Sequence, residues 1–444
     1  MDKYLDNIYK KLEEKYYYQT EYLNTVKQFL LSINDSLNDF NDIKKLNIIE
    51  RFVTPDRIIT FKVPWTDDKG VTHVNLGYRV QHSNLLGVYK GGIRFHPSVN
   101  ESILKFLALE QTLKNSLTDL PLGGAKGGSD FNPKGKSDNE IMRFCQNFIR
   151  ELHKHIGPEI DVPAGDLGVG AKEVGYMFGM YKKLTSKHNY VFTSKGLSYG
   201  GSLLRPESTG YGICYITEKA LDTYFNTSLK DKRVIISGAG QVGINVAYKA
   251  IELGAKVIAI SNTSGVIYDE TSIDLELIDT IDSNGVDLKE YLETYPNTEF
   301  IPDTKAIWGI KADIAIPSAT QNELDLDDAK RLVKNGVKLV VEGANKPSDN
   351  DAVDYFIDNN VLVIPSKAAN AGGVIVSSLE MEQNASTSKW PSELVDEKLK
   401  ENMYNIFDNI YNTSLSVNDE YNLVKATNIA AFKKLYDAMK AQGV

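Results

Sequence analysis

Three glycine-rich strings in the first half of the chain each present a charged side chain: Lys90 in YKGGIRF (89–95), Lys126 in LPLGGAKGG (120–128) and Asp166 in VPAGDLGVG (162–170). Glycine permits close backbone approach and leaves one side chain facing a ligand. Lys114 adds a further cation between the first two strings. Several lysines around one site fit a substrate with more than one carboxylate. A lysine of lowered pKa beside an aspartate fits acid–base chemistry on a carbonyl or imine. Taken singly, an exposed lysine is an ordinary solvated charge and an aspartate an ordinary turn or cap residue. Three separate glycine-framed charges are harder to assign to turns alone.

A second motif is GAGQVG (238–243), with the spacing G-x-G-x-x-G. It follows the short apolar run 233–237 and opens a stretch of helical spacing that reaches Leu253, which is the context a dinucleotide site requires. Gly238 makes the tight turn, Gly240 lets the backbone approach a pyrophosphate, and Gly243 packs helix on strand. Gln241 and Val242 then open the helix, whose unpaired N–H groups meet the phosphates. The next strand ends at Ser261-Asn262-Thr263-Ser264, where an acid favours NAD and a base favours NADP. Neither is present. Hydroxyl and amide donors without a repelling carboxylate tip this reading slightly towards NADP, with use of both cofactors open.

The elements that position these motifs follow from periodicity. Apolar residues at three- and four-residue spacing predict helix over residues 1 to about 50, and again near 99–118 and 137–156. Residues 57–65 and 74–82, around an Asp67-Asp68-Lys69-Gly70 turn, predict paired strands. From about residue 230, strand and helix alternate, with strands at 233–237, 255–261, 312–316, 338–341 and 361–364. That rhythm predicts a mostly parallel sheet covered on both faces. The Gly/Ser-rich stretch 194–212 marks the boundary, giving domains at 1–200 and 201–424, with a last helix at about 425–444 packing back on the first.

Composition narrows the class. With 59 acidic against 50 basic residues the 444-residue chain carries a net charge of −9, which argues against the broad basic surface that nucleic acids require. Hydrophobic content of 42% with 25% charged residues is that of a globular protein rather than a disordered one. No apolar run approaches the roughly 18–20 residues of a membrane span, and the charged start offers no secretory signal. Two cysteines, Cys145 and Cys214, make no disulfide framework and fit a reducing cytoplasm. The six histidines (73, 82, 96, 153, 155, 188) form no convincing ligand cluster, so no metal is expected.

Read together with GGSLLRPESTGYG (200–212), PSATQNEL (317–324), EGAN (342–345) and NAGGVIVSSLEMEQN (370–384), these strings resemble the hexameric glutamate dehydrogenases in order and spacing over nearly the whole chain. The resemblance implies an α/β protein of two domains around a cleft: an N-terminal substrate-binding domain and a Rossmann-like dinucleotide-binding domain. It implies that Lys126 and Asp166 are catalytic. Lys90 and Ser377 would hold the substrate side-chain carboxylate, and Lys114 with Gln111 the α-carboxylate, with Ala164 beside them. Thr209, Gln241 and Asn345 would lie near the nicotinamide, with Asn370 close by; Asn262 is placed at the adenosine ribose by its position at the strand end, a segment where members of the family differ. The substrates implied are glutamate, 2-oxoglutarate and ammonium, and the assembly a homohexamer. The N-terminal helices, with Tyr16-Tyr17-Tyr18, would make subunit contacts or pack on their own domain.

Two rival readings stand beside this one. A leucine, valine or phenylalanine dehydrogenase of the same superfamily would share the lysine and aspartate logic but carry an apolar side-chain pocket, against which Lys90 and Ser377 argue. A nucleotide-binding regulator that has lost catalysis is disfavoured by intact Lys126 and Asp166.

Overall fold

The helical stretch at the N-terminus breaks into three helices in the computed structural model, which describes residues 1–187, 190–271 and 273–444: α1 (Lys3–Tyr16), α2 (Thr20–Ile33) and α3 (Ile48–Val53). One helix to residue 50 is therefore too simple. Between α2 and α3, Asp42 and Asn47 adopt left-handed backbone angles (φ 63° and 48°), which a continuous helix does not allow, and Asn47 is the N-cap of α3. Next come β1 (Arg57–Thr66) and β2 (Thr72–Ser83), the antiparallel pair that their alternation predicts.

The glycine-rich strings are strands of that same sheet, which their composition conceals. In chain order follow β3 (Tyr89–Phe95), α4 (Glu101–Leu117), β4 (Gly124–Ser129), α5 (Asp138–Leu152), β5 (Asp161–Gly165) and α6 (Ala171–Thr185). The sheet order is β1-β2-β4-β3-β5, with β3 parallel to both of its neighbours. Glycine is poor in strands by propensity, yet packing demands it here. A Cβ at Gly124 would fall 1.9 Å from Thr112 Oγ1 of α4, and one at Gly91 would fall 1.7 Å from the Ala125 carbonyl oxygen.

On one side of this sheet Phe95, Phe131, Phe144, Phe148 and Trp65 form an aromatic core, with Phe131 stacked on Phe144 at 3.8 Å. Fully burying each phenylalanine stabilises the fold by roughly 1.5–3 kcal/mol. The register of α5 is set by a capping box, Ser137 Oγ accepting from Glu140 N (3.1 Å) and Glu140 Oε2 accepting from Ser137 N (2.9 Å). His153 and His155 lie in a 3-10 turn after α5 rather than on a helix, and His188 lies outside the described residues.

The second half runs α7 (Ser208–Phe225), β6 (Arg233–Ser237), α8 (Gln241–Glu252), β7 (Lys256–Asn262), β8 (Gly265–Tyr268), α9 (Leu275–Ser283), α10 (Tyr291–Thr294), β9 (Glu299–Ile301), β10 (Ile314–Pro317), α11 (Leu326–Lys334), β11 (Leu339–Val341), α12 (Asn350–Asp358), β12 (Leu362–Ile364) and α13 (Ser366–Ala369). Its sheet order is β12-β11-β10-β6-β7-β8-β9. The first five strands are parallel, while β8 and β9 add an antiparallel edge. Helices cover both faces, so the central strands read as unbroken Ile/Val/Ala runs instead of alternating. Three further helices complete the chain: α14 (Gly372–Ala385), α15 (Ser392–Ser416) and α16 (Leu423–Gln442).

The chain forms two units. The first comprises Met1–Arg205, Val376–Ser392 and Asn428–Val444; the second comprises Pro206–Ile375 and Glu393–Thr427. A single second domain over 201–424 is thus corrected, because 376–392 belongs to the first unit. Its anchor is Glu380, fully buried, which accepts from Lys195 Nζ at 2.6 Å and from the backbone N–H of Ser194 at 2.9 Å. A buried carboxylate is tolerable only with such partners. At the C-terminus, Phe432 of α16 packs on Phe29, Phe40 and Phe52 at centroid distances of 5.3, 5.1 and 5.4 Å. No helix among the described residues is long and apolar enough to cross a membrane.

Candidate active site

Because β3 lies between β4 and β5, Lys126 on β4 and Asp166 just past β5 are brought to either side of Gly92. A side chain at Gly92 would strike Asp166 Cβ at 2.7 Å. Lys126 is buried, and its Nζ stands 3.1 Å from Asp166 Oδ2. Arg94, two residues beyond Gly92, donates from Nε to the same oxygen at 2.8 Å. Oδ1 makes no protein hydrogen bond among the described residues, leaving it open to water or substrate. Burial pushes the Asp166 carboxyl up, but Lys126 and Arg94 together outweigh it and hold the pKa at about 2. Burial also lowers the Lys126 pKa, against the opposing pull of Asp166.

A second cluster surrounds Lys90. Its buried Nζ donates to Thr193 Oγ1 at 2.9 Å, and burial together with the Arg205 and Arg79 charges lowers its pKa to about 7. Arg205 Nε donates to Ser377 Oγ at 3.1 Å. Strand β3 is braced from behind by a fully buried pair, Arg79 and Asp161, in which Arg79 Nε donates to Asp161 at 2.9 Å; Arg79 also reaches the Gly91 carbonyl at 3.1 Å.

Lys114, on α4, makes no ion pair among the described residues. Burial and the neighbouring Lys126 charge lower its pKa to about 8. Gln111, one helical turn away, donates to Asn115 Oδ1 at 2.7 Å, and Asn115 in turn holds the Lys90 carbonyl at 3.2 Å. Ala164, on β5, lies directly beside Gly92.

The second unit holds the other group of sequence-predicted residues. Gly238 has φ +82°, and a Cβ at Gly243 would sit 1.8 Å from the Gly238 carbonyl oxygen, so both glycines are obligatory. Gly240 caps α8 with nothing within 4 Å of its Cβ position, and Gln241 beside it is exposed, its Nε2 donating to the Pro206 carbonyl at 3.3 Å. Val242 is half-buried in the first turn of α8, and Thr209 stands half-buried at the start of α7. Asn370 donates to Asn345 Oδ1 at 3.0 Å and to the Gly343 carbonyl at 3.2 Å, while its own Oδ1 is buried without a partner. These residues fit a nicotinamide dinucleotide, since a carboxamide N–H would satisfy that orphaned oxygen. Asn262, at the end of β7, turns its amide to Asp282 Oδ1 at 3.0 Å.

Three residues of these clusters escape sequence reasoning. Arg94 and Arg205 both sit inside motif strings, and only the ion pair with Asp166 and the bond to Ser377 distinguish them from surface arginines. Thr193 carries no sequence signal.

Family models match in two places: "Glu/Leu/Phe/Val dehydrogenase, dimerisation domain" over residues 55–183 and "Glutamate/Leucine/Phenylalanine/Valine dehydrogenase" over residues 200–443. The chain belongs to the Glu/Leu/Phe/Val dehydrogenase family. Within it, the chain is 51% identical to the NAD-specific glutamate dehydrogenase of Bacteroides fragilis, with 99% of each chain covered. It is 48% identical to the NADP-specific glutamate dehydrogenase of Helicobacter pylori, over 99% of this chain and 100% of the other. The crystal structure of Plasmodium falciparum glutamate dehydrogenase superposes with a TM-score of 0.96 at 45% identity, covering 100% of this chain and 95% of that one. The family's dimerisation-domain match includes Lys90, Arg94, Lys114, Lys126 and Asp166, whereas Thr193 falls between the two matches.

Proposed function

We infer that this chain is a glutamate dehydrogenase, catalysing the reversible oxidative deamination of L-glutamate to 2-oxoglutarate and ammonia with NAD or NADP. The observation that carries the reading is the polar surround of Lys90: a buried ammonium bonded to Thr193, with the Arg205 and Ser377 pair close enough for the Arg205 charge to lower its pKa. An apolar leucine, valine or phenylalanine side chain would desolvate the Lys90 and Arg205 charges without bringing a counter-charge, at a cost of several kcal/mol. A carboxylate satisfies them.

In the reductive direction, Lys90, Ser377 and Arg205 hold the side-chain carboxylate of 2-oxoglutarate, while Lys114 and Gln111 hold the carboxylate next to C2, beside Ala164. Ammonia attacks C2. Lys126 protonates the resulting alkoxide, Asp166 takes a proton from the attached nitrogen and passes it to the new hydroxyl, which leaves as water, and an iminium remains on the substrate. Loss of the Lys126 proton removes one of the two cations holding Asp166 down, so the carboxylate becomes a better base when the nitrogen must lose a proton. Gly238, Gly240, Gln241, Val242 and Gly243 would bind the pyrophosphate, Thr209, Asn345 and Asn370 the nicotinamide end, and Asn262 the adenosine ribose. The bound nicotinamide supplies hydride in this direction and accepts it in the other. Turnover at 340 nm with 2-oxoglutarate and ammonium should exceed that with 4-methyl-2-oxopentanoate by orders of magnitude, and equal rates would reject the assignment.

The lowered lysine pKa values give this proposal a pH signature. Substrate carboxylates bind the protonated ammonium forms of Lys90 and Lys114, whose pKa values in the free enzyme are about 7 and about 8. As pH rises through that window the binding-competent fraction falls. We expect kcat/KM for 2-oxoglutarate to decline above about pH 7 and more steeply above about pH 8, approaching roughly tenfold per unit for each lysine that must be reprotonated. A profile flat to pH 9.5 would contradict these roles.

We also propose a homohexamer in the cytoplasm. In support, β1 is an edge strand ten residues long, and Val71, Val74 and Leu76 of the adjoining hairpin are exposed, a combination suited to burial between copies. Both cysteines are buried and free, as a reducing compartment allows. Light scattering should return six times the subunit mass of 49.5 kDa, and a monomer mass would exclude the assembly.

A further inference from the structure

We propose that Asp282, a carboxylate on α9 twenty residues beyond the end of β7, acts as the ribose-reading acid that β7 itself lacks, and makes the enzyme prefer NAD to NADP. The proposal rests on the dinucleotide reading of 238–243. That reading places the adenosine ribose at the end of the second strand, beside the glycine turn. The two are adjacent here, since Gly238 N–H donates to Ser261 Oγ at 3.4 Å.

Asn262 and Ser264, which looked from sequence like phosphate donors, are already engaged with each other and with α9 and Leu288. The Asn262 amide N–H donates to Asp282 Oδ1 at 3.0 Å. Asn262 Oδ1 accepts from Ser264 N at 2.8 Å and from Ser264 Oγ at 2.6 Å. Ser264 Oγ also accepts from Leu288 N at 2.9 Å, and with its one proton given to Asn262 it has none to offer a phosphate. Thr263 is exposed and its hydroxyl makes no hydrogen bond among the described residues, whereas Ser261 is buried. A 2′-phosphate would therefore meet one uncommitted, exposed side-chain hydroxyl and a carboxylate within a hydrogen bond of Asn262.

The wider charge distribution has the same sign. Residues 269–298 contain nine acids (Asp269, Glu270, Asp274, Glu276, Asp279, Asp282, Asp287, Glu290 and Glu293) and a single cation, Lys289. Asp282 has no Lys or Arg ion-pair partner among the described residues, so its charge is not neutralised locally. A ribose 2′-hydroxyl can donate to a carboxylate, whereas a 2′-phosphate, dianionic near neutral pH, is repelled by it.

Calorimetry on the full-length protein with 5′-ADP and with 2′,5′-ADP separates the possibilities, alongside kcat/KM for NADH and NADPH. Wild type should bind 5′-ADP about tenfold or more tighter than 2′,5′-ADP, like charge at this range being worth at least that factor. Asp282→Asn keeps the shape and an acceptor for Asn262 while removing the charge, and should shrink the ratio several-fold by strengthening 2′,5′-ADP. Asp282→Lys should shrink it further or invert it. Tighter wild-type binding of 2′,5′-ADP, or a ratio unmoved in both variants while thermal melts show them folded, would overturn the assignment. So would a selective loss of 2′,5′-ADP binding in Lys289→Ala, which would make Lys289 a phosphate reader. Failure to bind either nucleotide would instead remove the dinucleotide reading on which the inference stands.

Discussion

Replacing Lys126 with alanine is expected to lower kcat by about 10²–10⁴, the range a positioned acid–base group contributes, while leaving cofactor affinity near wild type. The fold should survive the change. Asp166 retains its 2.8 Å bond from Arg94, so the substitution does not leave a buried carboxylate without a partner. What disappears is the group that can hand a proton to the departing oxygen and then take it back. Steady-state kinetics with a parallel fluorescence titration of NADH would measure both quantities. A loss below about tenfold in kcat would mean that water or Lys114 can substitute, and that Lys126 is a binding residue rather than a catalytic one. Because Asp166 would feel only one cation in this variant, residual activity should also show a carboxyl titration displaced upward from that of the wild type.

Lys90→Leu should produce the second large effect, and on a different axis. The buried ammonium and its Thr193 contact are removed, and a bound side-chain carboxylate would have to rely on Arg205 and Ser377. Leaving a buried charge without one of its partners costs about 3–5 kcal/mol, equivalent to roughly 10²–10³-fold or more in kcat/KM for glutamate. Activity on amino acids with apolar side chains should rise relative to glutamate, because the pocket no longer presents the Lys90 charge to them. Cofactor binding should be unaffected. Near-wild-type kcat/KM on glutamate would show that Lys90 does not face the substrate.

The legible part of this protein was legible for physical reasons. Strand β6, the turn at Gly238 and helix α8 are contiguous in the chain, so periodicity and glycine spacing report them directly. Lys126 and Asp166 were recognisable from glycine frames that exist because the strands need close approach, although the same glycines hid β3, β4 and β5 from a propensity argument. What remained invisible was whatever the topology brings together from afar. Arg94 matters because β3 runs beside β5. Thr193 matters because a backbone bond to Pro163 fixes its segment there, 2.9 Å from N to O. Asp282 is an ordinary helix residue until α9 folds it against the tip of β7. The chain order of 376–392 was likewise misleading, since α14 starts in one unit and, at Ser377 and Glu380, supplies residues to the other.

That interleaving bears on how the protein must be made. The first unit is built from three chain segments, the last beginning at Asn428. When residues 1–205 have left the ribosome, Lys195 still lacks Glu380, Arg205 still lacks Ser377, and the Phe29, Phe40 and Phe52 cluster still lacks Phe432. The second unit, by contrast, has its whole sheet once β12 is synthesised. The half that begins the chain thus closes only once the segment from Asn428 has been made, after the sheet of the second unit is complete, so any assembly through its surfaces waits for that segment.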